Sequence, residues 1–166
     1  MEYQRRRTQK NEKEMILEKL KKLSNDYLRE SKKDKSKEYY KIATKNIINS
    51  LLIKLKDKSR NKEDEAFLTE QEEISVLKNL RKKSLESIKA YTNGNRLELA
   101  EKEKIDLEII EKFLPKELGE EETTKIVKEI LKRLDTNKIG LVMKELKIYS
   151  NINMGIASKI VKKLLI

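Results

Sequence analysis

Residues 69–95 read TEQEEISVLKNLRKKSLESIKAYTNGN, and this stretch decides the fold class. Thr69, followed three residues later by Glu72, is a capping box in which each side chain satisfies a backbone donor at a helix start. Ile74, Leu77, Leu85 and Ile88 then recur at helical spacing and predict one buried stripe. Thr92-Asn93-Gly94-Asn95 is turn chemistry, so the helix is expected to stop near Tyr91. A start signal, a periodic stripe and a stop signal together define a helix without help from its surroundings.

The same spacing continues on both sides. Toward the N-terminus, Ile16, Leu20, Leu23 and Tyr27 predict a first helix over about residues 9–30. Lys32 to Ser36 is a polar break. Tyr40, Ala43, Ile47 and Leu51, widened by Ile48, Leu52 and Leu55, predict a second helix, and Asp57 to Asp64 reads as a charged loop. Toward the C-terminus, a fourth helix runs from Arg96 or Leu97 to Leu114 on Leu107, Ile110 and Leu114. Pro115 ends it, because the residue before a proline is pushed out of the helical region. Three short helices follow. They are marked by Ile126, Val127, Ile130, Leu131 and Leu134, by Ile139, Val142, Met143 and Leu146, and by Ala157, Ile160, Val161 and Leu164. The expected fold is all-α, with a basic polar tail over 1–13, a helical domain over 14–116 and a three-helix domain over 117–166.

Composition narrows the chemistry. The chain has 166 residues, 42% of them charged and 37% hydrophobic, against roughly 25% charged in an ordinary domain. It contains no Cys or His, which excludes thiolate and imidazole catalysis, disulfides, and zinc held by cysteine or histidine. No apolar run approaches the ~20 residues that span a membrane. The first ten residues carry Arg5, Arg6 and Arg7 without the apolar stretch of a signal peptide. A cytoplasmic protein is expected, with an organellar matrix as the second choice. Residues 1–62 carry 20 basic and 9 acidic groups, 63–118 carry 10 and 14, and 119–166 carry 10 and 6. The net charge of +11 therefore sits at the two ends around an acidic middle.

Carboxylates crowd the fourth helix: Glu101, Glu103, Asp106, Glu108 and Glu111. Interleaved lysines, with Glu98–Lys102 and Glu108–Lys112 four apart, make this an ion-paired solvated face rather than an acid–base pair. No phosphate-binding glycine loop or acidic calcium loop is present, and neither cofactor, metal nor catalytic residue is expected. Basic ridges are more informative. Lys37, Lys41 and Lys45 repeat every four residues beside Tyr39 and Tyr40. Lys78, Arg81, Lys82 and Lys89 form a second ridge. Lys159, Lys162 and Lys163 lie opposite the apolar stripe of the last helix. Such ridges suit phosphate contacts, whose strength falls as salt rises, although any lysine-rich helical chain shows ridges of this kind. In the loop Tyr149 to Gly155, Asn151 or Asn153 suits the cap of the last helix, and the same amides suit a phosphate.

These residues resemble the YqeY family. Phe67-Leu68-Thr69-Glu70-Gln71-Glu72-Glu73 through Val76-Leu77, then Arg81 to Ile88, resemble its third helix. Asn95 to Glu103 resembles the turn into its fourth. Phe113-Leu114-Pro115 stands for the usual Tyr-Leu-Pro ending, and Gly140 with Val142-Met143, then Met154-Gly155 with Ser158-Lys159, completes the small module. The resemblance covers about residues 14 to 166. It implies a helical domain joined to a three-helix domain, the architecture that ends the B subunit of the tRNA-dependent amidotransferase, where the tail holds tRNA and other domains do the chemistry. Free-standing members are catalogued by similarity as carbon–nitrogen ligases with glutamine as amide donor, yet no residue here suits binding ATP or activating glutamine.

Two departures matter. Ser150-Asn151-Ile152-Asn153 stands where the family loop reads close to Gly-Arg-Ala-Asp, and Gly119 replaces a capping serine at a cost of a few tenths of a kcal/mol. The extra lysines of the first two helices are expected to compensate for the missing arginine. The reading is a non-catalytic protein that binds tRNA or a tRNA-handling complex through Lys147, Lys159, Lys162, Lys163, Asn151 and Asn153, with Lys37, Lys41 and Lys45. It leaves the oligomeric state open. An adaptor that docks proteins on the acidic central helices is the alternative. A ligase accessory is a distant third.

Overall fold

The computed structural model describes residues 15–60 and 67–165, and every regular element among them is helical. The expected tail over 1–13 and the second half of the expected charged loop, 61–64, lie outside the described residues. The chain divides into two compact units at Leu114–Pro115.

The first unit holds α1 (Ile16–Ser31), α2 (Glu38–Arg60), α3 (Glu70–Asn93) and α4 (Leu97–Phe113). A short 3₁₀ turn, Lys35–Lys37, leads into α2, with Asp34 accepting from the Ser36 amide at 2.9 Å. α4 packs along α3 and also against α2, while α1 packs along α2 and touches α3. The shared core includes Leu20, Leu51, Leu77, Ile109 and Ile110, all fully buried. At the start of α3 the capping box forms as expected: Thr69 Oγ1 accepts from the Glu72 amide at 3.2 Å, and Glu72 Oε2 accepts from the Thr69 amide at 2.7 Å.

Several expectations shift. α2 does not stop at Asp57 but continues to Arg60, where Lys58 pairs with Glu72 at 2.6 Å. α3 runs two residues past Tyr91 to Asn93. Asn95 then takes a left-handed conformation (φ 56°), and the Arg96 amide donates to the Tyr91 carbonyl at 2.8 Å. On α3, Leu85 is exposed and Ser84 is buried in its place. α4 ends at Phe113, one residue before the expected Leu114, which is extended; Leu107 and Leu114 are half-buried while Ile109 and Ile110 form the core. In each case the neighbouring helices, not the periodicity alone, choose which side of an apolar stripe is covered most deeply.

The second unit holds α5 (Glu120–Leu134), α6 (Ile139–Leu146) and α7 (Met154–Leu165). Val127, Val142, Leu146, Ala157 and Val161 are completely buried between them. Asp135 ends α5 in a left-handed conformation (φ 42°), which a short polar side chain tolerates better than a branched one. Arg133 on α5 bonds Glu145 on α6 at 2.5 Å. Gly119 has no side chain with which to cap α5, so only the reciprocal half of a capping box forms, the Glu122 carboxylate accepting from the Gly119 amide at 3.2 Å.

Candidate nucleic-acid interface

The loop from Lys147 to Asn153 is held from three directions. Ile152, in a stretch that reads as polar, is 1% exposed and belongs to the core of the second unit. The Asn151 carbonyl accepts from the Leu118 amide at 2.9 Å. Asn153 caps α7: its Oδ1 accepts from the amides of Gly155 (3.0 Å) and Ile156 (3.2 Å), and its Nδ2 donates to Glu117 at 3.2 Å. A Cβ at Gly155 would stand 3.2 Å from that same Oδ1, so glycine there keeps the cap uncrowded. Of the two roles the sequence offers Asn153, capping is the one that the geometry builds, and both ends of its amide are engaged.

On α7 the cap fixes a helix whose inner side is Ala157, Ile160 and Val161 and whose outer side carries Lys159, Lys162 and Lys163, all exposed. α7 contains no carboxylate of its own. Lys147, at the end of α6, is also exposed, and its amide donates to the Met143 carbonyl at 3.3 Å. The structure therefore gathers three of the expected lysines on one helix side and sets the fourth on the adjoining helix end of the same unit.

The ridge on α2 is different. Lys37 lies in the 3₁₀ turn with its Nζ 4.7 Å from the centre of the Tyr40 ring, a cation–π contact. Lys41 is paired with Glu38, and its side chain is only 18% exposed. Lys45 is exposed. On α3, Arg81 pairs with Glu111 at 3.3 Å and Lys82 with Glu86 at 4.0 Å. Much of the positive charge of the first unit is thus locally engaged.

The acidic helix α4 is ion-paired as expected at Glu108–Lys112 (3.6 Å), and Glu101 pairs with Lys104 at 2.5 Å. Lys102 instead lies with its Nζ 4.9 Å from the Tyr39 ring centre. Tyr40 donates to Glu108 at 3.1 Å, which pushes the phenol above its usual range, and its ring lies 5.3 Å from that of Tyr27. Burial pulls the Lys112 ammonium down, but Tyr27 and Glu108 outweigh it and hold its pKa raised.

Among the described residues, burial raises the pKa of two carboxylates. Asp106 is half-buried, and burial, aided by Glu103, pushes its pKa up to about 6. Glu73 is 1% exposed and accepts from the amides of Ile16 and Leu17, both at 3.0 Å. It caps α1 from a different helix, since Met15 offers no side-chain cap. Burial raises its pKa, against the pull of those two amides. Glu73 lies four residues before Leu77 on the apolar side of α3, but only the approach of α1, 57 residues away in the chain, makes it a cap. Among the described residues, no group of three or more acidic side chains is placed to hold a metal ion.

Residues 13–165 match the family profile described as Yqey-like protein. The chain belongs to the YqeY family. A search of curated proteins returned no match. The YqeY match runs through both units of the chain, from just before α1 to the last residue of α7, so it takes in the α7 lysines, the Asn153 cap and the buried Glu73 alike. Among the described residues of this YqeY chain, no helix is long and apolar enough to cross a membrane.

Proposed function

We propose that this YqeY protein is a non-catalytic binder of tRNA, or of a tRNA-handling complex, acting in the cytoplasm or an organellar matrix. The observation that supports it is the outer side of α7, where Lys159, Lys162 and Lys163 stand exposed on a capped helix that contributes no negative charge. Among the described residues no carboxylate pairs with these three ammonium groups, so they meet a phosphate backbone without first losing such a partner, and the counterions they displace supply most of the affinity. Lys147 extends this edge. Asn151 and Asn153 hold the loop, and their role in binding is to position α7. Lys37, Lys41 and Lys45 form a secondary contact, weakened by the Tyr40 ring and Glu38 that already engage two of them.

The test is fluorescence anisotropy of total tRNA with the purified protein between about 50 and 200 mM salt. Binding is expected to fall steeply, by on the order of 10³-fold for several phosphate contacts. Reversing Lys159, Lys162 and Lys163 to Glu should remove most binding and lower the salt slope by about 2 to 3. Reversing Lys37, Lys41 and Lys45 should cost less. Absence of binding at low salt, or identical binding by the α7 variant, would refute the proposal.

A further inference from the structure

The second unit carries a surface that the RNA reading touches only at its edge, Lys147. α6 is buried through Val142 and Leu146, and at 3.6 residues per turn the opposite side presents Gly140, Leu141, Lys144 and, in the turn that continues the helix, Lys147 and Ile148. Leu141 is 48% exposed and Ile148 58% exposed, so both sides of this helix are apolar while only one is covered by the unit's own core. Leu141 and Ile148 lie seven residues apart, two helical turns, with Lys144 between them. Glu145 is the one carboxylate of α6, and Arg133 engages it at 2.5 Å, which leaves the outer side with a cationic character.

Gly140 adds a second indication. Its φ is not positive, and a Cβ placed on it would meet no atom within 4 Å. Neither turn geometry nor packing within this unit asks for glycine there, and alanine is the better helix former. Its effect is to leave the helix backbone open to close approach from outside.

We propose that the outer side of α6 docks an acidic amphipathic helix of a partner protein. The apolar pair at seven-residue spacing matches the i, i+4, i+7 anchors by which a helix lies along another. Lys144 and Lys147 complement carboxylates that flank those anchors, and Gly140 permits the close crossing. RNA is disfavoured as the occupant, because aliphatic side chains have no ring face on which a base stacks and add nothing to a phosphate contact. This proposal shares only Lys147 with the tRNA reading, whose main contacts are the α7 lysines.

The test is an amide-resolved NMR titration of the full chain with three probes. The first is a synthetic helical peptide with leucines at i, i+4 and i+7 flanked by glutamates, the second is the same peptide with lysines for glutamates, and the third is total tRNA. The acidic peptide is expected to shift the amides of residues 138–149, and the basic peptide is expected not to. Leu141→Ser with Ile148→Ser, both exposed and therefore compatible with an unchanged fold and helicity, should weaken the acidic peptide at least about tenfold. The Lys159, Lys162 and Lys163 reversals, which disable the tRNA reading, should leave it within about threefold. The proposal is overturned if the acidic peptide shifts no amide or only amides elsewhere. It is equally overturned if tRNA displaces the peptide from 138–149 of that α7 variant, or if these amides shift with protein concentration alone, which would assign the surface to RNA or to a second copy of the chain.

Discussion

The two units solve the same packing problem with different materials. The first spreads four long helices around a core that charge enters at Glu73, at the start of α1, and reaches in part at Asp106 on α4, while the Tyr40–Glu108–Lys112 group rims it where α2 and α4 meet. The second packs three shorter helices on aliphatic side chains, and its charges stay on the surface or at helix ends. A long bundle has interior to spare for a polar group that fixes one helix against another. A unit of three short helices has little, since each buried charge displaces a large share of its limited apolar burial. The first unit should therefore respond to pH and to polar substitution, and the second to volume and capping. Substitutions in each can break that contrast.

The largest effect is expected at Glu73. Its carboxylate accepts two amides that the first turn of α1 would otherwise bury without partners. Glu73→Ala removes both acceptors at once, and with about 1–3 kcal/mol for each orphaned donor the loss should be about 3 kcal/mol. Urea unfolding should show the first unit melting early while the second is unchanged, and hydrogen exchange should accelerate first at Ile16 and Leu17. Equal destabilisation of both units would mean that Glu73 does not act as a local cap.

A smaller and opposite effect is expected at Asp106. Its folded pKa of about 6 lies above the ordinary 3.8, so the native state holds the proton more tightly than the unfolded chain does. Well below pH 3.8 both states are protonated and no penalty arises. As pH rises from there through 6 the unfolded chain ionises first, and the native state loses stability until the penalty is complete above 6. Because Asp106 is only half-buried, solvent screening reduces that penalty to about 1–2 kcal/mol. Asp106→Asn should thus stabilise the first unit by about that amount at pH 7 and approach the parent near pH 4. Urea midpoints measured at pH 4, 5, 6 and 7 decide it, and a constant difference at every pH would refute burial as the cause.

How much of this was legible in the sequence follows the same division. Helix starts and stops with local signals, such as Thr69 with Glu72 and Leu114 before Pro115, were readable because the residues that make them are neighbours in the chain. The α7 lysines opposite Ala157, Ile160 and Val161 were readable for the same reason. What was not readable depends on partners far along the chain. Glu73 looks like one more charge in an acidic run until the start of α1, 57 residues earlier, is brought to it. Asp106 looks like its neighbour Glu108 until packing half-covers the one and leaves the other exposed. Ile152 looked like part of a polar loop because a single apolar residue has no period, and only the fold gives it a core to enter. Leu85 and Ser84 exchange places on α3 because adjacent positions on a helix differ by 100° and the sequence does not say which way the neighbouring helix leans.

The smallest effect lies in the second unit and tests its dryness directly. Thr123, in the first turn of α5, is fully buried, and its hydroxyl has no hydrogen-bond partner. That is the one polar defect of this kind among the described side chains of either unit. An orphaned hydroxyl costs free energy that a methyl group of the same shape does not, because the hydroxyl gave up its bonds to water and gained none. Thr123→Val keeps the branched shape and should stabilise the unit by about 1 kcal/mol, raising its thermal midpoint by several degrees. The same exchange at Thr44, also buried, should do the reverse, because the Thr44 hydroxyl donates to the Tyr40 carbonyl at 2.7 Å. If both substitutions stabilise, side-chain volume rather than hydrogen bonding governs the two sites and the polar–apolar contrast between the units fails. If the signs differ, the interior of the first unit uses its polar groups, and the interior of the second merely tolerates one.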